Sequence, residues 1–125
     1  MSAPFDFTNR VVLVTGAGGG LGRHIARCFA EAGAKVAVND LNRESALATA
    51  NELASSGFTA LALAGDATSE QDVESMFSSI ESVFGPVDTV VANATGKQIS
   101  EPIEKLDWDY YQSMIDFFIK SPYLL

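Results

Sequence analysis

The sequence predicts an α/β fold on a parallel sheet, and three observations carry that prediction. Short β-branched apolar runs alternate with longer amphipathic ones, and glycine or capping residues punctuate the joints. Five glycines also crowd the seven positions from Gly16 to Gly22, where the first strand gives way to the first helix. Strands and helices alternating at this spacing form βαβ units, whose right-handed crossovers lay the strands parallel.

The elements follow in order. "VVLV" at Val11–Val14 is a run of the kind buried on both faces of a parallel sheet. A helix follows from about Leu21 to Ala32, with Leu21, Ile25, Cys28, Phe29 and Ala32 along one face and Gly33 as its stop. "KVAVN" (Lys35–Asn39) is the second strand. The next helix runs from about Arg43 to Ser55, with Leu47, Ala50, Leu53 and Ala54 inward and Gly57 closing it. "FTALALA" (Phe58–Ala64) is the third strand. Thr68-Ser69-Glu70-Gln71 then matches a capping box. It opens a helix whose Val73, Met76, Phe77, Ile80 and Phe84 share a face, ended by Gly85-Pro86. "VDTVVA" (Val87–Ala92) is the fourth strand. A last helix, about Leu106 to Lys120, is apolar around most of its circumference through Trp108, Tyr111, Met114, Ile115, Phe117, Phe118 and Ile119. With no repeats, low-complexity tracts or linkers, residues 1–125 read as a single domain, a Rossmann-like half-fold.

Composition narrows the function classes. A hydrophobic content of 47% marks a globular chain, and a formal charge of -8 with scattered Lys and Arg argues against a nucleic-acid partner. One cysteine, Cys28, excludes an internal disulfide framework, and one histidine, His24, excludes a multi-histidine metal cage. His24 reads as solvated and Cys28 as a small buried hydrophobe. The segment "MSAPFDFTNR" has no apolar h-region, and no run approaches 18 apolar residues. The expectation is a soluble protein of a reducing compartment, the cytoplasm, with no membrane partner.

The glycines come at a conformational cost, on the order of a few kcal/mol for the five together. Between a strand and a helix they bring backbone N–H groups and the positive helix end up to a phosphate. One glycine turns sharply off the strand, another admits the pyrophosphate, and a third lets helix and sheet touch. Gly16, Gly20 and Gly22 are the candidates. The spacing is Thr15-Gly16-x-x-x-Gly20-x-Gly22 rather than G-x-G-x-x-G, and no Lys-Ser or Lys-Thr follows to make a P-loop. Asp40, 18 positions after Gly22, ends the second strand. There its carboxylate accepts from ribose hydroxyls and repels a 2′-phosphate. With no basic residue at position 19 and Arg43 alone nearby, the balance favours NAD over NADP. The competing role for Asp40 is a helix cap, which Asn42 equally supplies.

"TGAGGGLG", "GDAT" after the third strand and "ANAT" after the fourth together resemble the short-chain dehydrogenase/reductase family. The resemblance implies strand order 3-2-1-4, an NAD cofactor and hydride transfer with a small alcohol or ketone. It implies that Gly16, Gly18, Gly19, Gly20, Leu21 and Gly22 line the pyrophosphate. By the same resemblance Asp40 and Leu41 hold the adenosine ribose, Asp66 and Ala67 meet the adenine, and Asn93 and Ala94 lie beside the nicotinamide-side ribose. The family's catalytic Tyr-x-x-x-Lys and upstream Ser have no counterpart here. Tyr110 is followed four on by Met114, and Tyr111 by Ile115, so the chain corresponds to the cofactor-binding half of such an enzyme. Thr95 stands where the family has glycine, and Phe118 where its last helix carries a relay Asn. The family's use of that helix in oligomers, and the apolar fourth strand, imply self-association. Two other functions fit the glycines: a non-enzymatic dinucleotide-binding or scaffolding module, and an S-adenosylmethionine methyltransferase. The latter usually places an acidic residue where this chain has Thr15.

Overall fold

The structure is a computed structural model that describes residues 4–125. Four strands, β1 (Val11–Val14), β2 (Lys35–Asp40), β3 (Ala60–Ala64) and β4 (Thr89–Val91), form one parallel sheet in the order β3-β2-β1-β4. Val12 pairs with Val36 on one side and with Thr89 on the other, and Val36 pairs in turn with Ala60. The order is the one expected, and it reverses direction at β1.

Successive side chains of a strand point to opposite faces, so β1 feeds two cores. Val12 and Val14 join Val36 and Val38 against α1 (Gly20–Glu31) and α2 (Arg43–Ser55). Val11 and Leu13 join Ala37 on the other face, under Ile80, Phe77 and Phe84 of α3 (Glu70–Phe84). All four β1 residues are buried, as a strand covered on both sides requires.

The helix faces differ from the sequence pattern in an informative way. In α1 the buried positions are Gly22, Ala26 and Ala30, while Leu21 is 68% exposed and Cys28 lies on the outer face, its Sγ 3.7 Å from His24 Nε2. In α2 they are Ala46, Thr49, Ala50 and Leu53, leaving Leu47 outside. Both helices lie so close to the sheet that most of these inner positions are small residues, with Leu53 the one large apolar side chain among them. The sequence reading weights side-chain size and so places each stripe to one side. In α3 the expected Val73, Met76 and Ile80 are buried.

The capping box is also displaced by one residue. Ser69, not Thr68, caps α3 by accepting from Asp72 N–H. Thr68 is occupied elsewhere: its N–H and hydroxyl both donate to Asp66 Oδ1, which fixes the turn before the helix. The long terminal helix divides into α4 (Trp108–Ile115), a π-helical turn over Asp116–Lys120, and α5 (Ser121–Leu124). Ser121 N–H reaches back five residues to the Asp116 carbonyl, and Pro122 has no N–H to continue the ladder. Among the described residues no helix is long and apolar enough to cross a membrane.

Asp88 fastens β4 to β1. Its Oδ2 accepts the Val11 N–H at 2.9 Å and its Oδ1 accepts the Thr89 hydroxyl at 2.8 Å. The Val11 N–H bond is the main cause that holds its pKa below the ordinary 3.8; burial opposes it, and the Thr89 hydroxyl and the Arg10 charge add to the lowering. A carboxylate whose folded pKa is depressed adds stability above its unfolded pKa and loses it as pH falls through the folded value. Asp88→Asn is therefore expected to lower Tm at neutral pH and to flatten the loss of Tm below about pH 4. Thermal melts at stepped pH check this, and an unchanged acid limb would contradict it.

Candidate functional site

The end of β1 is stitched to the end of β4. Buried Thr15 accepts the N–H groups of Asn93 and Ala94 on its Oγ1, each at 3.0 Å, and that hydroxyl faces the Val91 carbonyl at 3.4 Å. Asn93 returns its Nδ2 to the carbonyls of Thr15 (3.1 Å) and Gly16 (3.2 Å). These bonds fix the start of the glycine loop against the strand where the sheet order reverses.

The glycines divide into three physical roles. Gly16 has φ +63°, and a Cβ there would lie 2.9 Å from Ala94 Cα. Gly22 faces inward, where a Cβ would sit 2.6 Å from Asn93 Nδ2 and 2.9 Å from the Gly16 carbonyl carbon, so the start of α1 rests directly on the loop. Gly19 and Gly20 meet nothing within 4 Å and are open to a ligand. Gly19 is the N-cap of α1 and supplies no side-chain cap, and the first turn carries no acidic residue. By contrast Asn42 caps α2, Ser69 caps α3 and Asp107 caps α4. The first-turn N–H groups of α1 thus lie beside open, uncharged backbone, as an anion-binding helix start requires.

Asp40 sits opposite. Its Oδ2 accepts the Gly18 N–H at 2.9 Å and its Oδ1 accepts the Asn42 N–H at 3.0 Å. Asn42, not Asp40, caps α2. An ionised carboxylate has about four lone-pair positions, so each Asp40 oxygen keeps one for a hydroxyl. A Cβ at Gly18 would lie 2.7 Å from Asp40 Cγ, which explains a glycine there without any ligand. Across the cleft, Asp66 Oδ1 is taken by Thr68, and Asp66 N–H donates to Asp72 Oδ2. Asp66 Oδ2 remains as an acceptor.

A cleft at the carboxyl ends of the strands gathers Gly16, Asp40, Leu41, Asp66, Ala67 and Ala94 from the sequence-derived set. Gly19, Gly20 and Leu21 do not line this cleft; a Cβ at Gly19 or Gly20 would meet nothing, Leu21 is exposed, and Gly20 lines a separate groove with Arg23 and Glu52, while Gly18, Gly22 and Asn93 build the support rather than the walls. Thr95, noted from sequence for standing in the family's glycine position, is a further wall residue, and three more were not singled out as site residues: Asn39, Gly65 and Phe117. Asn39 carried a signal, a polar residue ending an apolar strand. It is 1% exposed, with Nδ2 bonded to the carbonyls of Leu63 and Gly65, so it ties β2 to the turn after β3. Phe117 carried none, because only the tertiary fold brings the π-helical turn to this cleft.

A doubly wound parallel sheet, a glycine turn after β1 and a carboxylate ending β2 define the class of nucleotide-binding α/β proteins with their ligand at the switch point. The short chain dehydrogenase family model matches residues 10–125. The chain is 40% identical over 115 residues to the uncharacterized oxidoreductase YxjF of Bacillus subtilis, covering 92% of this chain and 44% of that protein. It is 36% identical over 104 residues to the (2S)-[(R)-hydroxy(phenyl)methyl]succinyl-CoA dehydrogenase subunit BbsD of Thauera aromatica, covering 81% and 42%. A crystal structure of a short-chain type dehydrogenase/reductase from Mycobacterium marinum superposes with a TM-score of 0.89 at 29% identity, covering 96% of this chain and 47% of that one. The chain belongs to the short-chain dehydrogenase/reductase family, whose members use nicotinamide dinucleotides. It spans less than half the length of these relatives.

Proposed function

We propose that this chain binds NAD in the cleft, as the cofactor-binding half of an oxidoreductase that moves hydride between nicotinamide and a small alcohol or ketone. The carrying observation is the Asp40 carboxylate, held by the Gly18 and Asn42 N–H groups at the cleft with acceptor capacity to spare. On this reading the N–H groups around Gly19, Gly20 and Leu21 take the pyrophosphate, and Asp40 with Leu41 takes the adenosine ribose. Asp66 with Ala67 takes the adenine, and Ala94, set by Asn93, borders the second ribose. When bound, the cofactor supplies the hydride acceptor or donor; these residues bind and orient it.

A 2′-phosphate would place like charge against Asp40, so NAD is expected to bind more tightly than NADP. Hydrogen bonds to a charged group are worth roughly 1.5–3 kcal/mol, so Asp40→Ala should weaken NAD about tenfold or more. Asp40→Asn keeps an acceptor for Gly18 and should narrow the NAD/NADP gap with less loss of fold. Titration calorimetry decides; NADP preferred by the unaltered chain would overturn the assignment.

Self-association is part of the same proposal. Trp108, Ile115, Phe118 and Ile119 are 66%, 41%, 53% and 67% exposed along the terminal helices, and β4 is an edge strand. Edges and apolar patches of this kind template pairing. Light scattering is expected to give a mass above 13.3 kDa; a monodisperse monomer at high concentration would count against it.

A further inference from the structure

A second groove, of about 170 Å³, lies between α1 and α2, with Arg23, His24 and Arg27 on one wall and Thr49 and Glu52 on the other. It shares no wall residue with the cleft at the strand ends. Thr49 is 1% exposed, and among the described residues its Oγ1 is the one buried side-chain polar atom without a hydrogen-bond partner. It makes no bond to the preceding turn of α2, where a helical threonine can find an acceptor. A buried hydroxyl left unpaired costs free energy, so its place in a groove wall points to an acceptor that enters the groove.

The other wall residues lean the same way, with more donors than acceptors. Each guanidinium carries five N–H groups. Arg23 Nη2 and Arg27 Nη1 donate to Glu52, occupying one carboxylate oxygen each, and Arg27 Nε donates to Glu31 at 2.9 Å. The remaining N–H groups of both arginines have room for a further acceptor, and two positive charges line the groove against the single charge of Glu52. These ion pairs are part-exposed, and exposed pairs contribute little, so Glu52 gives way readily to a doubly charged ligand. Guanidinium forks match a phosphoryl group in geometry as well as charge. The formal charge of -8 does not forbid this, because distant charges are screened at physiological ionic strength.

We infer that the groove is a second, separate anion site, which takes the phosphoryl group of inorganic phosphate or of a small phosphomonoester. Arg23 and Arg27 supply the charged donors and Thr49 the neutral one. The inference stands apart from the nucleotide reading of the cleft.

Titration of the full chain with inorganic phosphate at fixed pH and ionic strength, followed by NMR amide shifts, tests it. Saturable shifts are expected at His24, Thr49 and Leu53. Glycerol phosphate titrated alongside tells a free ion from a phosphomonoester by which of the two binds more tightly. Arg23→Gln with Arg27→Gln should weaken phosphate about tenfold or more, since hydrogen bonds to charged groups are the strong ones. Glu52→Gln removes the competing carboxylate and should tighten phosphate roughly threefold, a direction that damage to the fold would not give. Thr49→Val keeps the shape and should weaken phosphate roughly threefold while leaving the urea midpoint unchanged or higher, because the hydroxyl it removes has no partner to lose. If the arginine variant lacks a folded circular dichroism spectrum, Glu52→Gln and Thr49→Val decide. Groove amides that respond to neither ligand, or affinities equal across the variants, would overturn the site. Shifts confined to residues 18–21 would assign the phosphate to the glycine loop, overturning this inference and leaving the nucleotide reading intact.

Discussion

Gly22→Ala is expected to destabilise this chain and lower its urea midpoint. Alanine is the better helix former by roughly 1 kcal/mol, so propensity alone predicts stabilisation. Packing decides the sign. A Cβ at position 22 would lie 2.6 Å from Asn93 Nδ2 and 2.9 Å from the Gly16 carbonyl carbon. The carbonyl belongs to backbone, and the amide is tied to Thr15 and Gly16, so neither retreats by a rotamer change. Overpacking commonly costs about 1–3 kcal/mol and more where backbone must move; against a net stability of roughly 5–15 kcal/mol that is a large share. Gly19→Ala is the control: its backbone is extended at φ -171° and a Cβ meets nothing within 4 Å. It should leave the urea midpoint near that of the unaltered chain while weakening dinucleotide binding, because the methyl occupies the open approach. A Gly22→Ala midpoint equal to that of Gly19→Ala would show that the loop yields more easily than its geometry implies.

The two glycines also show what was legible in the sequence. The spans of the first three helices and the glycine turn follow from period and punctuation, with Arg43–Ser55 found at the expected bounds, whereas the strand order follows from the family resemblance. Inward faces were less legible. Hydrophobic period marks Leu21 and Leu47, whereas close contact with the sheet selects Gly22, Ala26 and Ala46; Ala50 and Leu53 are inward as read. Asp40 and Asp66 were legible from motif spacing, but their bonds to Gly18 and to Thr68 are tertiary or turn geometry that spacing does not encode. Phe117 reads in one dimension as part of an apolar helix; the π-helical turn and Gly96 bring it to the cleft.

No turnover is expected from the 125-residue chain by itself. Hydride transfer needs a held nicotinamide, a held alcohol or ketone, and a positioned acid–base group. The cleft offers groups for the first only. Tyr110 does not line it: its hydroxyl accepts the Ile99 N–H at 3.4 Å, in a separate groove with Glu101, Leu106 and Asp107. Tyr111 is 41% and Tyr123 87% exposed, and Met114 and Ile115 stand four residues after Tyr110 and Tyr111. Phe118, at the position where the family helix carries its relay Asn, offers no polar group and is 53% exposed. General acid–base catalysis alone contributes roughly 10²–10⁴-fold, and positioning contributes more, so a rate below detection is the expectation for these 125 residues tested alone. The measurement is NADH absorbance against a panel of secondary alcohols and ketones, with protein freed of contaminating dehydrogenases. Nucleotide binding without turnover is the expected result. Steady turnover abolished by Tyr110→Phe or Tyr111→Phe would show instead that this chain positions an acid of its own.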